Sequence, residues 1–430
     1  MGSMGKSQTL VEFADQVADT ARAIAAFCKS RGYPEPTLHP SETEKALDIL
    51  PVDAPLDVQI ARQDLIDAAK RVQQIATDPA QFLPELAVHP QHIACIQWLC
   101  RFHIPGLVPS PGTVSYEELA NLANVPLDVL KSVVRMAICA HFFDEPKPGH
   151  IAHTRLSAHF AKSAALQDWA EFLADATVPM AIRFADATQR WGATKSKTET
   201  AFNIALDTDL PFFDYLNKTP DFRKRFAGYM QCVTSTQGTA IEHLIEGFDW
   251  ASVGNGLVVD IGGSSGHASI ALARSYPELR LIVQDLPKVI ETSVAQASSL
   301  EDSVKSRVTF QGHSFFEPQP VKDADLYLLR MILHDWPNDE AKTILGHIRQ
   351  AMKPTARLVI MDTALPEPGT ISLSQESQLR VRDLTMRETF NAHEREMEEW
   401  KALLAEVDKG WKVKRAVQPF GSNLSVMEIA

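Results

Sequence analysis

Residues 257–290 have the sequence LVVDIGGSSGHASIALARSYPELRLIVQDLPKVI, and this stretch decides the fold class. Residues 257–259 and 281–283 are short apolar runs suited to buried parallel strands, and residues 268–274 have the composition of a crossover helix. Three glycines before that helix permit a tight turn, because glycine has no side chain to collide with nearby backbone. The stretch therefore predicts a strand, a glycine turn, a helix and a second strand.

An acidic residue stands at the end of each predicted strand. Asp260 precedes Gly262, Gly263 and Gly266, and Asp285 ends the second strand, where a carboxylate can accept hydrogen bonds from both hydroxyls of a ribose. The glycine spacing is neither that of a nicotinamide-dinucleotide motif nor that of a phosphate loop. Asp260 would repel a pyrophosphate but suits a ligand that carries an ammonium and a sulfonium. The pattern favours S-adenosylmethionine, with an ordinary turn and incidental glycines as the alternative.

Size and charge limit the remaining possibilities. A chain of 430 residues suggests two or three domains, and a formal net charge of -12 argues against general binding to nucleic acid or to anionic membranes. Five cysteines without C-x-x-C spacing indicate neither a disulfide framework nor a zinc site. No apolar run reaches the length of about 18 residues that a membrane span needs. We therefore expect a cytoplasmic protein with no metal, no membrane and no nucleic-acid partner.

The N-terminal part, residues 1–165, is predicted to be helical with a winged helix. Residues 9–30 and 60–75 have the apolar spacing of amphipathic helices. Such stripes need a surface to cover them, which predicts a homodimer, with packing on the same chain as the alternative. Residues 90–162 suggest the winged helix.

A helix-turn-helix could bind DNA, and the expected recognition helix covers residues 127–138. That segment offers only Lys131 and Arg135 as cations and is otherwise mostly apolar. Since contact with phosphates needs a basic face, a structural role or a role as a substrate lid is favoured over DNA binding.

Residues 166–250 are predicted to form a helical connector and part of a substrate pocket, and residues 251–430 an α/β doubly wound sheet that binds the cofactor. The connector is rich in bulky aromatic residues, which pack in a core more often than they line a pocket. Because it immediately precedes the cofactor unit, we expect some members to wall an apolar cavity. The candidate substrate contacts are Met180, Phe184, Met230, Thr234, Met331 and Trp336.

A second motif, LRMILHDWP, follows the predicted strand at residues 325–329. Working residues in open α/β sheets lie at the C-terminal ends of strands, so His334 is placed to reach a bound ligand. A histidine can take the proton of a phenol as a methyl group arrives at the oxygen. Asp362 and Glu394 could orient the imidazole, with Glu394 predicted at the start of a helix. The alternatives are a structural histidine and two solvated acids.

Several motifs together resemble a known family: VVDIGGSSGHASIALA, QDLPKVI, LRMILHDWPNDEA, LVIMDTALPEPG and EREMEEW. They resemble the S-adenosylmethionine-dependent O-methyltransferases of the plant caffeate and flavonoid type, especially the relatives in fungal secondary metabolism. The resemblance covers about residues 90–430. It implies a homodimer, a winged-helix dimerisation domain and a class I methyltransferase domain with a Rossmann-like sheet.

The resemblance also implies roles for individual residues. Asp260, Gly262 and Gly266 match the glycine-rich cofactor motif, and Asp285 and Leu286 match the contacts to ribose and adenine. Arg330 matches a basic contact to the cofactor, His334 the general base, and Glu394 a partner of that base, while Asp362 stands where plant members have a glutamate.

One position departs from the family pattern. In the segment TFQGHSFF, Ser314 stands where the family has an acid that holds the adenine amino group, next to Phe315. A serine hydroxyl can accept the same hydrogen bond, but it brings no charge.

The leading hypothesis is O-methylation of a phenolic or polyketide-like small molecule. The alternative is a fungal pericyclase or dehydratase that binds S-adenosylmethionine without transferring the methyl group, using the sulfonium as a fixed positive charge. A winged-helix regulator that senses the cofactor is disfavoured by the acidic charge.

Overall fold

A computed structural model describes residues 8–39, 49–51, 54–297 and 300–430. The chain divides into two compact units. The first contains Met1–Pro179, Leu216–Cys232 and Ser372–Ser374, and the second contains Met180–Tyr215, Val233–Ile371 and Gln375–Ala430. The segment 166–250, predicted as one connector, is thus shared between the two units.

The first unit begins with two long helices that pack against each other, α1 (Leu10–Arg31) and α2 (Leu56–Ala76). Thr9 caps α1 by accepting a hydrogen bond from the Glu12 amide, and Gly32 ends the helix with a φ of 69°. The two predicted amphipathic helices are confirmed.

The rest of this part of the chain combines short helices with a three-stranded sheet of order β1-β3-β2. Its elements are α3 (Phe82–Leu86), α4 (Val88–Arg101), α5 (Ile104–Leu107), β1 (Val114–Ser115), α6 (Tyr116–Ala123), α7 (Leu127–Cys139), β2 (Phe143–Lys147), β3 (His150–His153), α8 (Arg155–Lys162) and α9 (Ala164–Phe172). A buried core that includes Leu99, Leu119, Leu130 and Ile151 holds them together. The winged-helix assignment and its role in dimerisation stay predictions.

Further helices precede the large sheet: α10 (Val178–Trp191), α11 (Ala201–Ala205), α12 (Phe212–Lys218), α13 (Pro220–Thr234) and α14 (Glu242–Gly247). Aromatic side chains from this segment pack within each unit. In the first unit Phe172 stacks on Tyr229, and in the second Phe202 makes an edge contact with Phe212.

Strands then alternate with helices. The elements are β4 (Leu257–Ile261), α15 (His267–Ser275), β5 (Arg280–Asp285), α16 (Pro287–Ala297), α17 (Asp302–Lys305), β6 (Val308–Gly312), β7 (Leu326–Arg330), α18 (Asn338–Ala351), β8 (Arg357–Asp362), β9 (Ala364–Leu365), α19 (Leu373–Phe390), β10 (Arg395–Glu396), α20 (Met397–Val407), β11 (Val413–Val417) and β12 (Ser425–Ile429). The strands predicted from apolar runs in this region are confirmed.

Seven of these strands form one sheet in the order β11-β12-β8-β7-β4-β5-β6. The five strands from β8 to β6 are parallel, and β12 runs antiparallel between β8 and β11. Both faces are buried: Val259 and Tyr327 belong to one hydrophobic core, Val258 and Leu328 to the other. The chain order reverses between β4 and β7, and in open α/β sheets this is where ligands bind, beyond the C-terminal ends of the strands.

One predicted helix start is wrong. Glu394 was expected to begin a helix, but α20 begins at Met397. Arg395 and Glu396 instead pair in parallel with Ala364 and Leu365, because the chain first extends alongside β9.

Among the described residues, none of the helices has the length and apolarity that crossing a bilayer would require.

Candidate active site

The glycine turn, residues 262–266, connects β4 to α15. Gly262 and Gly266 have φ values of 73° and 76°, which L-residues with a side chain rarely adopt. A Cβ on Gly262 would overlap the Ile332 side chain, and one on Gly266 would lie 2.9 Å from the Phe310 ring. The Gly262 and Gly263 amides donate to the Gln284 carbonyl at 2.8 and 3.0 Å, so the turn folds over the end of β5.

Asp285 stands at the C-terminal end of β5, beside the glycine turn. Its Oδ2 accepts a hydrogen bond from the Ser264 amide at 2.9 Å, and its Oδ1 accepts one from the Leu286 amide at 2.7 Å. Burial raises the pKa of this carboxyl although both backbone amides oppose the shift. The Leu286 side chain beside it is exposed and offers an apolar surface to a ring.

Asp260 lies at the opposite end of the turn and is only 1% exposed. Its Oδ2 accepts a hydrogen bond from the Ser269 hydroxyl at 2.7 Å, and a Cβ on Gly263 would lie 2.7 Å from its Cγ. Burial raises the pKa of Asp260 to about 6. The carboxyl therefore fastens the turn to α15 from beneath.

Ser314 and Phe315 follow β6. Ser314 is half-buried, and its hydroxyl accepts a hydrogen bond from the Phe316 amide at 3.4 Å. The Phe315 ring lies 3.7 Å from the position of a Cβ on Gly262 and 5.8 Å from the Trp336 ring centroid. Phe315 therefore borders the glycine turn from the β6 side.

Arg330 ends β7 and faces the same region. Its Nη2 donates to the Thr239 carbonyl at 2.6 Å, whereas its Nε is buried without a hydrogen-bond partner among the described residues. The guanidinium thus keeps donor capacity for an anionic group. Burial lowers the pKa of Arg330, and Asp260 and Asp362 oppose that shift.

These groups have the chemistry that S-adenosylmethionine needs. The Asp285 carboxylate suits a ribose diol, Leu286 and Phe315 offer apolar surfaces for adenine, and Arg330 suits the carboxylate of the methionine part.

His334 lies in a short turn, Leu333–Asp335, directly after β7, and is 7% exposed. Its Nδ1 is 3.0 Å from Asp362 Oδ1 and 3.4 Å from Glu394 Oε1, while its Nε2 is 3.4 Å from Asp335 Oδ1. Asp362 ends the neighbouring strand β8 and is fixed by the Leu333 and Thr363 amides, each at 3.1 Å. The structure thus brings the predicted base together with both predicted carboxylate partners.

The charges around the imidazole shift its ionisation. Burial disfavours the charged form of His334, but Asp362, Asp335 and Glu394 outweigh burial and raise its pKa well above the usual value. Burial also disfavours the charged form of Glu394, which by itself would raise its pKa. The charges of His334 and Arg382 outweigh burial and lower the pKa of Glu394 to about 2. An additional positive charge near the imidazole would favour release of its proton.

Two arginines of this site were not predicted from the sequence. Arg382 on α19 lies against the cluster: its Nη2 is 3.3 Å from His334 Nδ1, and its Nε donates to Glu394 Oε1 at 3.3 Å. Arg395 is 1% exposed and donates to the Leu333 and Trp336 carbonyls, each at 2.8 Å. Arg395 therefore fixes the loop that carries His334. No local sequence pattern around Arg382 or Arg395 indicates these roles.

We name four residues, His334, Asp362, Glu394 and Arg382, the imidazole cluster. The three groups other than Arg382 converge closely enough to hold a cation, since their ligand atoms lie within 4.8 Å of one another. Arg382 supplies a fixed positive charge at this position.

The predicted substrate contacts lie on several elements. Met180 is buried on α10, and its Sδ accepts a hydrogen bond from the Thr389 hydroxyl at 3.8 Å. Met331 follows β7 with a φ of 56°, and its amide donates to the Met361 carbonyl at 2.9 Å. Trp336 is half-buried against Phe316, with ring centroids 4.7 Å apart.

The other three contacts are more dispersed. Phe184 is half-buried and Thr234 exposed, and both belong to the second unit. Met230 is half-buried on α13 in the first unit. Glu388, on α19, is 4% exposed, and burial raises its pKa to about 7.

A family model described as an O-methyltransferase domain matches residues 189–411. The O-methyltransferase VdtC of Byssochlamys spectabilis is 50% identical over 428 residues, which cover 99% of this chain and 98% of that protein. The chain belongs to this O-methyltransferase family. Two solved structures share the fold. OxaC in complex with sinefungin and meleagrin has a TM-score of 0.75 at 20% identity and covers 99% of both chains. LepI in complex with SAM has a TM-score of 0.74 at 22% identity and covers 97% of this chain and 99% of that one.

Membership of the O-methyltransferase family confirms the predicted class of enzyme, the predicted cofactor S-adenosylmethionine and the resemblance to fungal members. The seven-stranded mixed sheet agrees with the predicted class I methyltransferase fold.

Proposed function

We propose that this O-methyltransferase methylates a phenolic hydroxyl of a small secondary metabolite, with His334 as the general base. The observation that carries the proposal is the 3.0 Å contact between His334 Nδ1 and Asp362 Oδ1. A carboxylate at Nδ1 holds the proton on that nitrogen and leaves Nε2 as the acceptor. The separation of 3.4 Å between Nε2 and Asp335 Oδ1 is longer than an ordinary hydrogen bond, so Nε2 is available to accept a proton from a substrate.

The bound cofactor supplies an electrophilic methyl group on a positively charged sulfur. His334 Nε2 takes the proton of the acceptor hydroxyl as that oxygen receives the methyl group. Asp362 and Glu394 stabilise the imidazolium that results, and their negative charges act on a buried ring where water screens them little. Asp285, Leu286 and Arg330 hold the cofactor at the end of the sheet, and positioning supplies much of the rate enhancement.

Aromatic residues of the second unit support a flat acceptor. Phe390, at the end of α19, stacks on Phe213 with ring centroids 5.5 Å apart and an interplanar angle of 22°. Phe213 is exposed, and Trp336 packs edge-on against Phe315 and Phe316. Aromatic surfaces bind flat rings favourably, which supports the proposed contacts at Met180, Phe184, Thr234, Met331 and Trp336, all in this unit. OxaC, a structural relative, is in complex with meleagrin as well as with sinefungin.

The test uses purified protein, S-adenosylmethionine labelled in its methyl group and a panel of phenols. We expect label in the product and release of S-adenosylhomocysteine. His334→Ala should lower turnover by about 10²- to 10⁴-fold and leave cofactor affinity unchanged. His159→Ala, at an exposed position on α8, is the matched control.

The alternative of a pericyclase or dehydratase is not favoured, because the relatives are named O-methyltransferases and His334 is retained beside its carboxylates. Formation of product without consumption of cofactor would overturn the proposal in favour of that alternative. Full activity of the His334→Ala variant would remove His334 from the mechanism.

A further inference from the structure

The cluster around His334 contains more negative charge than a general base requires. Three carboxylates face the ring: Asp362 and Glu394 near Nδ1, and Asp335 near Nε2. Each of them stabilises the imidazolium, the form of histidine that cannot accept a proton. The mechanism proposed above needs the neutral ring before the acceptor reacts. Something in the site must therefore offset the carboxylates.

Arg382 is the cation in direct contact with this cluster. Its Nη2 lies 3.3 Å from His334 Nδ1, and its Nε donates to Glu394 Oε1 at 3.3 Å. The guanidinium is 19% exposed, so water screens its charge only partly. Five further charged groups lie around the ring. They are Asp335 on the same turn as His334, Arg330 on β7, Asp362 on β8, Glu394 before β10, and Arg395 on β10. Arg330 and Arg395 direct hydrogen bonds to backbone carbonyls.

The neighbours of Nδ1 differ in which tautomer they favour. Nδ1 can donate to Asp362 Oδ1, at 3.0 Å, or accept from Arg382 Nη2, at 3.3 Å. The carboxylate is nearer, so Asp362 receives the Nδ1 proton and Nε2 is left to act as the base. Arg382 then acts on the ring through its positive charge rather than through a hydrogen bond to Nδ1.

We infer that Arg382 is a positioning residue for His334: it binds Glu394, and its positive charge beside the ring opposes the protonation that the three carboxylates favour, so that the imidazole releases its proton more readily and Nε2 can act as the base. The inference rests on the proposed function, because only a general base needs this adjustment.

The first experiment needs no substrate. Histidine labelled with ¹⁵N in the full-length protein reports the protonation and tautomer of His334 by NMR, with His334→Gln used to assign its signals. Arg382→Gln should raise the titration midpoint of His334 by about one pH unit or more, because the carboxylates then act unopposed. Arg382→Lys should raise it less. Arg380→Gln, on the same helix but paired with Glu376, should leave it unchanged.

The second experiment follows the pH dependence of kcat/KM for methyl transfer. In Arg382→Gln the acidic limb should move up by the same amount as the NMR midpoint, and turnover should recover at higher pH. A residue with a merely structural role would lower turnover equally at every pH. The double variant Arg382→Gln with Glu394→Gln should return the midpoint towards the wild-type value, and it serves also if the single variant folds poorly.

An unchanged His334 midpoint in Arg382→Gln would overturn the inference whatever the activity. A shifted midpoint in a protein whose wild type transfers no methyl group would support the effect of Arg382 on His334 and overturn the proposed function instead.

Discussion

The glycine turn and the imidazole cluster each bury a carboxylate, and the two ionise differently. Asp260, beneath the glycine turn, has the Ser269 hydroxyl as its partner, and burial raises its pKa to about 6. Glu394, in the imidazole cluster, contacts a ring and a guanidinium, and its pKa falls to about 2. Burial alone favours the protonated acid, whereas cations in direct contact reverse the shift. The first carboxyl can therefore serve as a structural support, while the second is kept charged.

The two regions also differ in how they are assembled. The glycine turn and both of its acids come from one continuous stretch, residues 257–290. The imidazole cluster is drawn from the loop after β7, the end of β8, the middle of α19 and the segment before β10. Changes in the turn should therefore act on cofactor binding, and changes in the cluster should act on turnover.

The largest effect should come from Asp362→Asn. An asparagine can present its amide NH₂ rather than an oxygen to Nδ1, which favours the tautomer with its proton on Nε2. We expect kcat to fall by about 10³-fold while cofactor affinity stays within the range of the wild type. Asp339→Asn, at an exposed position on α18, is the control for the same chemical change. Steady-state kinetics and calorimetry with the cofactor separate the two effects, and a drop of less than about tenfold would contradict the role given to Asp362.

Asp285→Asn tests the other side of the comparison. Both oxygens of Asp285 accept hydrogen bonds from backbone amides, so the NH₂ group of an asparagine would face an N–H group on one side. The substitution also removes the negative charge that the carboxylate offers to the ribose hydroxyls. Cofactor affinity should fall by about ten- to hundredfold, and kcat at saturating cofactor should change little. The control is Asp302→Asn, at an exposed position on α17. Loss of kcat with unchanged affinity would break the division between the two regions.

Gly262→Ala separates backbone strain from crowding. Its positive φ and the overlap of a Cβ with Ile332 should together cost about 2 kcal/mol of stability and weaken cofactor binding. Gly32→Ala, at the left-handed end of α1, has a similar φ of 69° with nothing within 4 Å of its Cβ, and should cost about 1 kcal/mol through strain alone. Thermal unfolding measures both. Equal losses in the two variants would mean that the contact with Ile332 has no effect.

The smallest effect concerns Glu388, another buried carboxyl, whose pKa burial raises from 4.5 to about 7. Between these values the unfolded chain ionises more readily than the folded one, so the stability of the protein falls as the pH rises. Glu388→Gln should therefore be more stable than the wild type at pH 8 by about 1–2 kcal/mol, with no such gain near pH 4.5. Denaturant unfolding at both pH values checks this. The exposed Glu398→Gln serves as control, and a gain independent of pH would contradict the assignment.

Continuous patterns made most of the fold predictable. Apolar runs located β4 and β5, and the spacing of the glycines located the turn, because strands and turns depend on neighbours in the chain. The start of α20 was missed because Arg395 and Glu396 pair with β9, a contact that no local pattern encodes. His334, Asp362 and Glu394 were found through motifs and resemblance.

Arg382 escaped notice for a different reason. Helix α19 carries charges at positions 376, 380, 382, 383, 387 and 388, a pattern typical of a solvent-exposed helix. Only the packing of α19 beside His334 distinguishes Arg382 from its neighbours. The burial of Asp260 was likewise not evident, because the sequence shows an acid before glycines without showing which way it points.

Strand β12, residues Ser425–Ile429, lies inside the large sheet, between β8 and β11. During synthesis on the ribosome, β8 is made before its neighbour β12. Until β12 is made, the backbone donors and acceptors on that edge of β8 stay unpaired. The sheet that carries Asp362 can be completed only after residues 425–429 have left the exit tunnel. Nascent chains halted before residue 425 should accordingly depend on chaperones more than the finished protein does.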